Sequence, residues 1–239
     1  MNVVKCDNYD EMSLCAANEI ADVVRKKPNA VLGLATGSTP VGMYDILSQM
    51  YSDGKLDFSQ ITSINLDEYY PISPDNRQSY RYFMNQNLFS RVNIDLSRTH
   101  VPSGTAEDIE TECREYDKLI DTLGGIDIQV LGIGRNGHIG FNEPGEELYV
   151  GTHVTQLTQS TIDANSRFFS EDEIIPDRAL TMGIGSIFKA RKIIILASGE
   201  SKREAVSYLL SEKISTECPA SLLNLHENVT LICDNDALR

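Results

Sequence analysis

Short apolar runs separated by longer stretches of mixed polarity recur along the whole chain. Apolar runs bounded by turn residues predict β-strands at residues 2–6, 30–35, 61–66, 126–133, 153–157, 192–198 and 229–234. Several of these runs are apolar at every position, which is typical of parallel strands that are covered on both faces. The pattern therefore predicts a largely parallel sheet at the centre of the fold.

The stretches between these runs show the spacing of amphipathic helices. Apolar side chains recur at helical spacing between Met12 and Val24, and residues 108–125 predict a second helix that ends on two glycines. Strands that alternate with helices predict an α/β fold with a layered parallel sheet. No linker or repeat interrupts the pattern, so we expect a single domain over residues 1–239. Active sites in such sheets lie outside the carboxyl ends of the strands.

Composition limits the partners and the compartment. The 239 residues include 35 acidic and 21 basic side chains, and the formal charge of −14 would repel nucleic acid and anionic membranes. The five cysteines lack a CxxC pair or zinc-ligand spacing, which favours a reducing cytoplasm and predicts no metal site. Because the chain shows neither a signal-peptide pattern nor a membrane-spanning run, we expect a soluble, cytoplasmic protein.

The segment with the most chemical information is LGIGRNGHIGFNEPG at residues 131–145, which we call the 131–145 loop. Its glycines allow the backbone to approach a small ligand closely. It also places His138 near Glu143, and an imidazole beside a carboxylate is the usual equipment of proton transfer. These features predict an active-site loop.

The same segment fits the GxGxxG dinucleotide fingerprint at Gly132, Gly134 and Gly137. A true fingerprint opens a helix, whereas residues 142–145 include an asparagine, a proline and a glycine that end any helix too soon. We therefore do not expect a dinucleotide site here.

A turn of Thr36, Gly37, Ser38, Thr39 and Pro40 follows the second predicted strand. We expect Thr39 to be the N-cap and Pro40 the first residue of a helix. Free amides and hydroxyls at the positive end of a helix would bind a phosphate monoester, but an ordinary capped turn explains the pattern equally well. No Walker lysine follows, so a nucleoside triphosphate is not expected.

The third predicted strand runs into Asn65-Leu66-Asp67-Glu68-Tyr69-Tyr70. Side chains alternate along a strand, so Asp67 and Glu68 should face opposite sides. We favour Asp67 as the reacting group and expect Glu68 to hold structure or to be solvated. The alternative is an exposed acidic pair without a role.

Positive charge for an anionic substrate has two sources in the sequence. Arg167 lies in the segment 163–169, and Lys202 begins a helix after the strand at 192–198. Each alone is typical of a solvated surface cation, but together they can converge on a phosphate held by the turn at 36–39. The polar residues 157–178 also predict a lid that closes over the substrate.

A family resemblance joins these pieces. The chain contains, in order, the segments LGLATGSTP, INLDEYY, LGIGRNGHIGFNEPG, ANSRFF, TMGIGSI and SGESK. Through these segments it resembles the glucosamine-6-phosphate deaminases over nearly its full length. The resemblance implies a modified doubly wound, Rossmann-like, mostly parallel sheet flanked by helices. It also implies conversion of glucosamine 6-phosphate and water to fructose 6-phosphate and ammonia without metal or organic cofactor.

The resemblance also implies a role for each predicted site residue. Asp67 would shuttle the C2 proton, and His138 would open the sugar ring with Glu143 and Asn136 orienting or polarising it. Some members of the family carry an aspartate at the position of Asn136. An amide there can accept a hydrogen bond from the ring but carries no charge, so stabilising an imidazolium would fall to Glu143. The substrate phosphate would be bound by Thr36, Gly37, Ser38, Thr39, Arg167 and Lys202.

Regulation and assembly are expected to be simple. Some members of the family are hexamers activated by an acetylated sugar phosphate, which binds basic residues after the Glu-Pro motif and a carboxyl-terminal extension. This chain has Glu146, His153 and Thr155 in that region and little sequence for the extension. We expect no such activation, and a monomer or a small homo-oligomer.

Two other kinds of protein share parts of the pattern. A 6-phosphogluconolactonase has a similar glycine-histidine motif, but its typical Ser-Asp-Glu-Arg segment differs from residues 65–69 and it lacks the continuation at 141–143. A non-catalytic sugar-phosphate-sensing domain of a transcription regulator would need a DNA-binding element, for which this acidic chain has no room. The choice between glucosamine and galactosamine 6-phosphate stays open.

Overall fold

The central feature of the structure, a computed structural model, is a parallel β-sheet. Residues 1–158, 162, 166, 169 and 174–238 are described. The strands in this part of the chain are β1 (Asn2–Cys6), β2 (Val31–Leu34), β3 (Thr62–Asn65), β4 (Asp67–Tyr70), β5 (Thr99–His100), β6 (Ile128–Gly132), β7 (His153–Gln156), β8 (Arg178–Thr181), β9 (Ile193–Ala197) and β10 (Val229–Asp234). Seven of them form the main sheet, in the order β1-β10-β9-β6-β2-β3-β5, with every pairing parallel.

Helices cover both faces of this sheet. Their bounds in the described residues are α1 (Tyr9–Lys26), α2 (Val41–Ser52), α3 (Tyr80–Asn87), α4 (Ile109–Thr122), α5 (Ile184–Phe188), α6 (Arg203–Leu209) and α7 (Asn235–Leu238). Short 3₁₀ helices lie at Phe89–Arg91, Leu96–Arg98, Glu200–Lys202 and Pro219–Leu225. No helix in these ranges is long and apolar enough to cross a membrane.

The two helices predicted from spacing are confirmed. The Asn8 side chain caps α1 by accepting a hydrogen bond from the Glu11 amide, and Asp108 caps α4 through the amides of Glu110 and Thr111. Helix α1 buries its apolar stripe against the sheet, as expected from the spacing after Met12. Both elements are therefore specified locally.

The predicted α/β fold with a mostly parallel sheet is also confirmed. All seven predicted strands are present, and β9 is buried at every position, as expected for a strand covered on both faces. The strand predicted at 153–157 is not part of the main sheet. It is β7, which belongs to a separate antiparallel sheet with the order β4-β8-β7. Sequence analysis did not predict that second sheet, since β4 and β8 are short and mix polar with apolar residues.

The predicted start of α2 is wrong. Thr39 does not cap the helix and Pro40 is not its first residue, because Pro40 occupies the cap position without a capping side chain and α2 begins at Val41. The Tyr9 hydroxyl, from α1, accepts a hydrogen bond from the Gly42 amide at 2.9 Å. A distant tyrosine thus satisfies an amide of the first turn.

The order of the strands places a crevice at the centre of the main sheet. From β2 the chain proceeds to β3 and β5 on one side, and it then returns to β6 on the other side of β2. The loops that leave β2 and β6 therefore diverge, and such a switch point opens a ligand crevice at the carboxyl ends of the strands. The 131–145 loop and the turn at 36–39 both lie there.

Candidate active site

A cavity of about 600 Å³ lies at this switch point, and we call it the large cavity. It collects nearly all of the predicted site residues. Those that line it are Thr36, Gly37, Ser38, Thr39, Asp67, Asn136, His138, Glu143 and Lys202. Arg167 and most of the predicted lid at 157–178 lie outside the described residues.

Asp67 enters the large cavity from the junction of the two sheets. It is the first residue of β4 and stands opposite Thr181 of β8, and it is 6% exposed. Burial raises the pKa of its carboxyl to about 8, and the neighbouring Glu68 carboxylate adds to the rise. A carboxyl whose pKa is near neutrality can both accept and return a proton.

Glu68 faces away from the large cavity, as the alternation of side chains predicted. It is 2% exposed, and its carboxylate accepts hydrogen bonds from the backbone amides of Tyr69, Tyr80 and Arg81. The alternative of an exposed acidic pair is therefore excluded, because both carboxyls are buried.

His138 and Glu143 form a pair within the 131–145 loop. The imidazole Nδ1 lies 2.9 Å from Oε1 of Glu143, although the carboxylate stands off the axis of an ideal hydrogen bond. Burial raises the pKa of Glu143, but its contacts with His138 and Asn136 outweigh burial and lower the pKa overall. Glu143 is therefore ionised at neutral pH and can stabilise a protonated imidazole.

Asn136 holds this pair in a different way from the one that sequence analysis anticipated. Its amide nitrogen donates to Oε2 of Glu143 at 2.7 Å, and its oxygen accepts from the backbone N–H of His138 at 3.2 Å. The expected hydrogen bond from the imidazole ring to Asn136 is not what the structure shows, because the Glu143 carboxylate occupies the Nδ1 side of the ring. Asn136 thus orients the carboxylate.

The 131–145 loop requires a glycine at residue 134. Its amide donates to the backbone oxygen of His138 at 2.8 Å, so the loop folds back on itself. A Cβ at residue 134 would overlap the imidazole ring. No helix follows Gly137, which agrees with our rejection of a dinucleotide fingerprint.

Another part of the large cavity is suited to an anion. Gly37 has a φ of +92°, a left-handed conformation that favours glycine and shapes the turn at 36–39 before α2. Lys202 donates to the backbone oxygen of Ile133 at 2.6 Å, and burial together with the Arg135 charge lowers its pKa. Two cations, Arg135 and Lys202, thus lie close together in the large cavity of a strongly acidic protein.

Sequence analysis missed three residues of the wall. Arg135 was visible between two glycines of the 131–145 loop, but we assigned it no role. Tyr80 and Phe141 also line the large cavity, with their rings stacked at 6.2 Å. Tyr80 begins α3, and no local signal connects that helix to the site.

The remaining histidines lie away from the large cavity. The Nε2 atom of His226 lies 2.8 Å from the backbone oxygen of Ala190, and His100 ends the edge strand β5. Within the described ranges, no three His, Cys, Asp or Glu side chains gather in a way that would hold a metal ion.

Comparison with known proteins gives the family. The model of the glucosamine-6-phosphate isomerases/6-phosphogluconolactonase family matches residues 8–232. The chain belongs to this family. A curated relative from Clostridium perfringens (strain 13 / Type A), named glucosamine-6-phosphate deaminase, is 56% identical over 239 residues, which cover 100% of this chain and 99% of the relative. Another of that name, from Thermoanaerobacter sp. (strain X514), is 52% identical over 99% of this chain and 94% of its own length.

Solved structures agree with this assignment to the glucosamine-6-phosphate isomerase/6-phosphogluconolactonase family. A structure described as a monomeric glucosamine-6-phosphate deaminase superposes with a TM-score of 0.94 at 48% identity, over 99% of this chain and 98% of that one. The 6-phosphogluconolactonase of Thermotoga maritima superposes with a TM-score of 0.77 at 19% identity, over 98% and 99% of the two chains. The second likeness establishes a shared fold.

Proposed function

We propose that this chain is a glucosamine-6-phosphate deaminase, which converts glucosamine 6-phosphate and water to fructose 6-phosphate and ammonia. The observation that carries the proposal is a single cavity with two separate proton carriers, the buried Asp67 carboxyl and the His138–Glu143 pair. The reaction needs two such groups, because the ring oxygen and C2 of the sugar lie apart. Relatives at 52–56% identity that carry this name support the proposal.

Ring opening is the first step. His138 takes the proton from the anomeric hydroxyl and returns a proton to the ring oxygen, which breaks the C1–O5 bond and leaves an open-chain aldehyde. Glu143 stabilises the imidazolium that forms between the two transfers, because its carboxylate lies 2.9 Å from Nδ1. Asn136 keeps that carboxylate in place through its 2.7 Å hydrogen bond.

Proton transfer between carbons follows. Asp67 removes the proton from C2 of the aldehyde, and a proton of the substrate's ammonium group moves to the C1 oxygen, which gives an enolamine with a C1–C2 double bond. Asp67 then delivers its proton to C1, so that C1 carries a hydroxyl group and a protonated imine remains at C2. Water adds to this imine, and ammonia leaves as the C2 ketone forms. The raised pKa of the Asp67 carboxyl suits this step, because a more basic carboxylate removes a carbon-bound proton more readily.

The phosphate is assigned to the other end of the large cavity. The turn at 36–39 lines that part of the cavity and offers amides and hydroxyls to a phosphate, and Lys202 and Arg135 supply positive charge. We also assign Arg167 to the phosphate, from the family resemblance alone.

The decisive test is an assay of chelator-treated protein with glucosamine 6-phosphate, in which ammonia and fructose 6-phosphate are measured together. The Asp67→Asn variant should bind the substrate but lose at least about a hundredfold in kcat, and it should not exchange the C2 hydrogen with deuterated solvent. Asp53→Asn is the matched control, because Asp53 is a surface carboxylate paired with Lys55. Exchange at C2 by Asp67→Asn at the wild-type rate would disprove the role of Asp67.

The two alternative functions predict different results in the same assay. A lactonase would hydrolyse 6-phosphogluconolactone and release no ammonia from the amino sugar, and a sensing domain would bind sugar phosphate without turnover. Neither alternative is favoured, since the lactonase structures are only 17–22% identical to this chain, whereas relatives at 52–56% identity are named glucosamine-6-phosphate deaminase.

We further propose that residues 1–239 form one sugar-phosphate deaminase domain that acts in the cytoplasm as a monomer or a small homo-oligomer. The solved relative described as monomeric supports a small assembly. Light scattering of the purified protein measures the mass directly, and a hexamer would contradict this part of the proposal.

A further inference from the structure

Glu68 is a buried carboxylate for which the proposed reaction has no use. It lies beside Asp67 on β4 but lines a separate cavity of about 180 Å³ on the other side of the strand. Its Oε1 accepts from the amides of Tyr69 at 2.9 Å and Tyr80 at 2.8 Å, and its Oε2 accepts from the Arg81 amide at 2.9 Å. Three amides from two elements thus converge on one side chain.

Two of these amides belong to the first turn of α3, and Tyr80 of this turn lines the large cavity. The ring of Tyr80 packs against Tyr69 with centroids 4.6 Å apart and stacks with Phe141 of the 131–145 loop. Helix α3 is joined to β4 by these hydrogen bonds to Glu68, by the packing of Tyr80 on Tyr69 and by a side-chain hydrogen bond between the two tyrosines, so Glu68 helps to set the position of the Tyr80 ring.

The charge of Glu68 also acts on the site. The titratable and charged groups that face the Asp67–Glu68 pair are Tyr69, Tyr80 and Arg81, together with Tyr116 of α4. The Arg81 guanidinium donates to the hydroxyl and the backbone oxygen of Thr99 at 2.7 and 2.8 Å, and no ion pair joins it to Glu68 within the described residues. Burial raises the pKa of Glu68 to about 7, although the three amides and the Arg81 charge lower it. Above that pH the ionised Glu68 acts on Asp67 as a like charge across one strand.

We propose, resting on the function proposed above, that Glu68 is a positioning residue whose carboxylate fastens the first turn of α3 to β4 and so places Tyr80 beside Asp67. Its negative charge in addition makes Asp67 a stronger base toward the C2 proton.

Three substitutions separate these two effects. Glu68→Gln keeps the shape, but it removes the charge and replaces one acceptor oxygen by a donor nitrogen. Glu68→Asp keeps the charge and both oxygens but is one methylene shorter. The matched control is Ser79→Ala, which removes the Ser79 hydroxyl that accepts from the Tyr82 amide at 3.0 Å, so α3 loses a cap while the charge of Glu68 remains.

We expect Glu68→Gln to lower kcat by at least about tenfold and to raise KM less. Activity requires the ionised Asp67, so it rises with pH through the pKa of that group. Without the Glu68 charge this acidic limb should move to lower pH by roughly one unit. Glu68→Asp should lower kcat while the acidic limb of its pH–activity profile stays at the wild-type pH. Ser79→Ala should lower the thermal midpoint and also leave the acidic limb at the wild-type pH.

A measurement without substrate separates this proposal from the function on which it rests. The Asp67 carboxyl carbon is followed by NMR in the free protein labelled with ¹³C-aspartate, and Asp67→Asn identifies its signal. If the wild type does not deaminate the amino sugar, the proposed function fails, while the titration of Asp67 still tests Glu68. An unchanged Asp67 titration in Glu68→Gln overturns the charge effect.

Wild-type kcat in both Glu68→Gln and Glu68→Asp overturns the positioning role. Should the glutamine variant not fold, Glu68→Asp decides alone: a wild-type kcat would overturn the proposal, and a reduced kcat with wild-type Asp67 titration would support it.

Discussion

Replacement of the Asp67 carboxyl by the amide of asparagine should make the folded protein more stable at alkaline pH, although the proposed base is lost. Asp67 is 6% exposed, and burial raises the pKa of its carboxyl from 3.8 to about 8, with the Glu68 carboxylate adding to the rise. Ionising this group in the folded chain is therefore unfavourable.

The magnitude and the sign of the effect follow from the two pKa values. A rise from 3.8 to about 8 corresponds to an upper limit on the order of 5 kcal/mol, at about 1.4 kcal/mol per pH unit. Below about pH 4 the folded and the unfolded chain both hold the proton, and the wild type has its full stability. Between about pH 4 and 8 only the unfolded chain releases the proton readily, so the stability of the wild type falls through this window.

Urea unfolding followed by circular dichroism measures the free energy of unfolding of the wild type and of Asp67→Asn at about pH 5 and about pH 9. We expect the advantage of the variant to grow by at least about 2 kcal/mol between these two pH values. Asp53→Asn is the control and should show no such gain, because Asp53 lies at the surface beside Lys55. An advantage of Asp67→Asn that is equal at both pH values would refute the reasoning, since a cost of ionisation must depend on pH.

Three further substitutions test the site. Gly134→Ala should lower kcat by about a hundredfold in a steady-state assay, because its Cβ would displace the imidazole of His138. The control Gly145→Ala should have little effect on kcat, since its Cβ meets no atom closer than 3.8 Å. Lys202→Met should raise KM at least about tenfold with less change in kcat, while Lys189→Met, which removes a surface pair with Asp121, should leave KM unchanged. Glu143→Gln keeps the shape beside the imidazole without its charge, so kcat should fall at least about tenfold while substrate binding, measured by calorimetry, persists.

The sequence by itself determined the main sheet and the principal loop of the site. Short runs that are apolar at every position and bounded by turn residues are typical of strands covered on both faces, and they form the parallel strands of the centre. The glycines of the 131–145 loop and the spacing of His138 and Glu143 are local properties, so their proximity was predictable. The matched family model confirms the resemblance that these segments indicated.

Only the tertiary structure decided the surroundings of the reacting groups. Asp67 is buried because β4 pairs with β8, which places it opposite Thr181, and neither short strand has a pattern that predicts this pairing. Tyr80 lines the large cavity, its amide donates to Glu68 of β4, and the Tyr9 hydroxyl accepts from an amide in the first turn of α2, for which Thr39 was expected to be the cap.

The physical reason is the same in each case. A local pattern records which side chains avoid water and where the backbone can turn, and these preferences act within a few residues. The pKa of a buried carboxyl, the partner of a short strand and the donor that satisfies a helix end depend on groups that are distant in the chain. Those groups come together only when the whole sheet has formed.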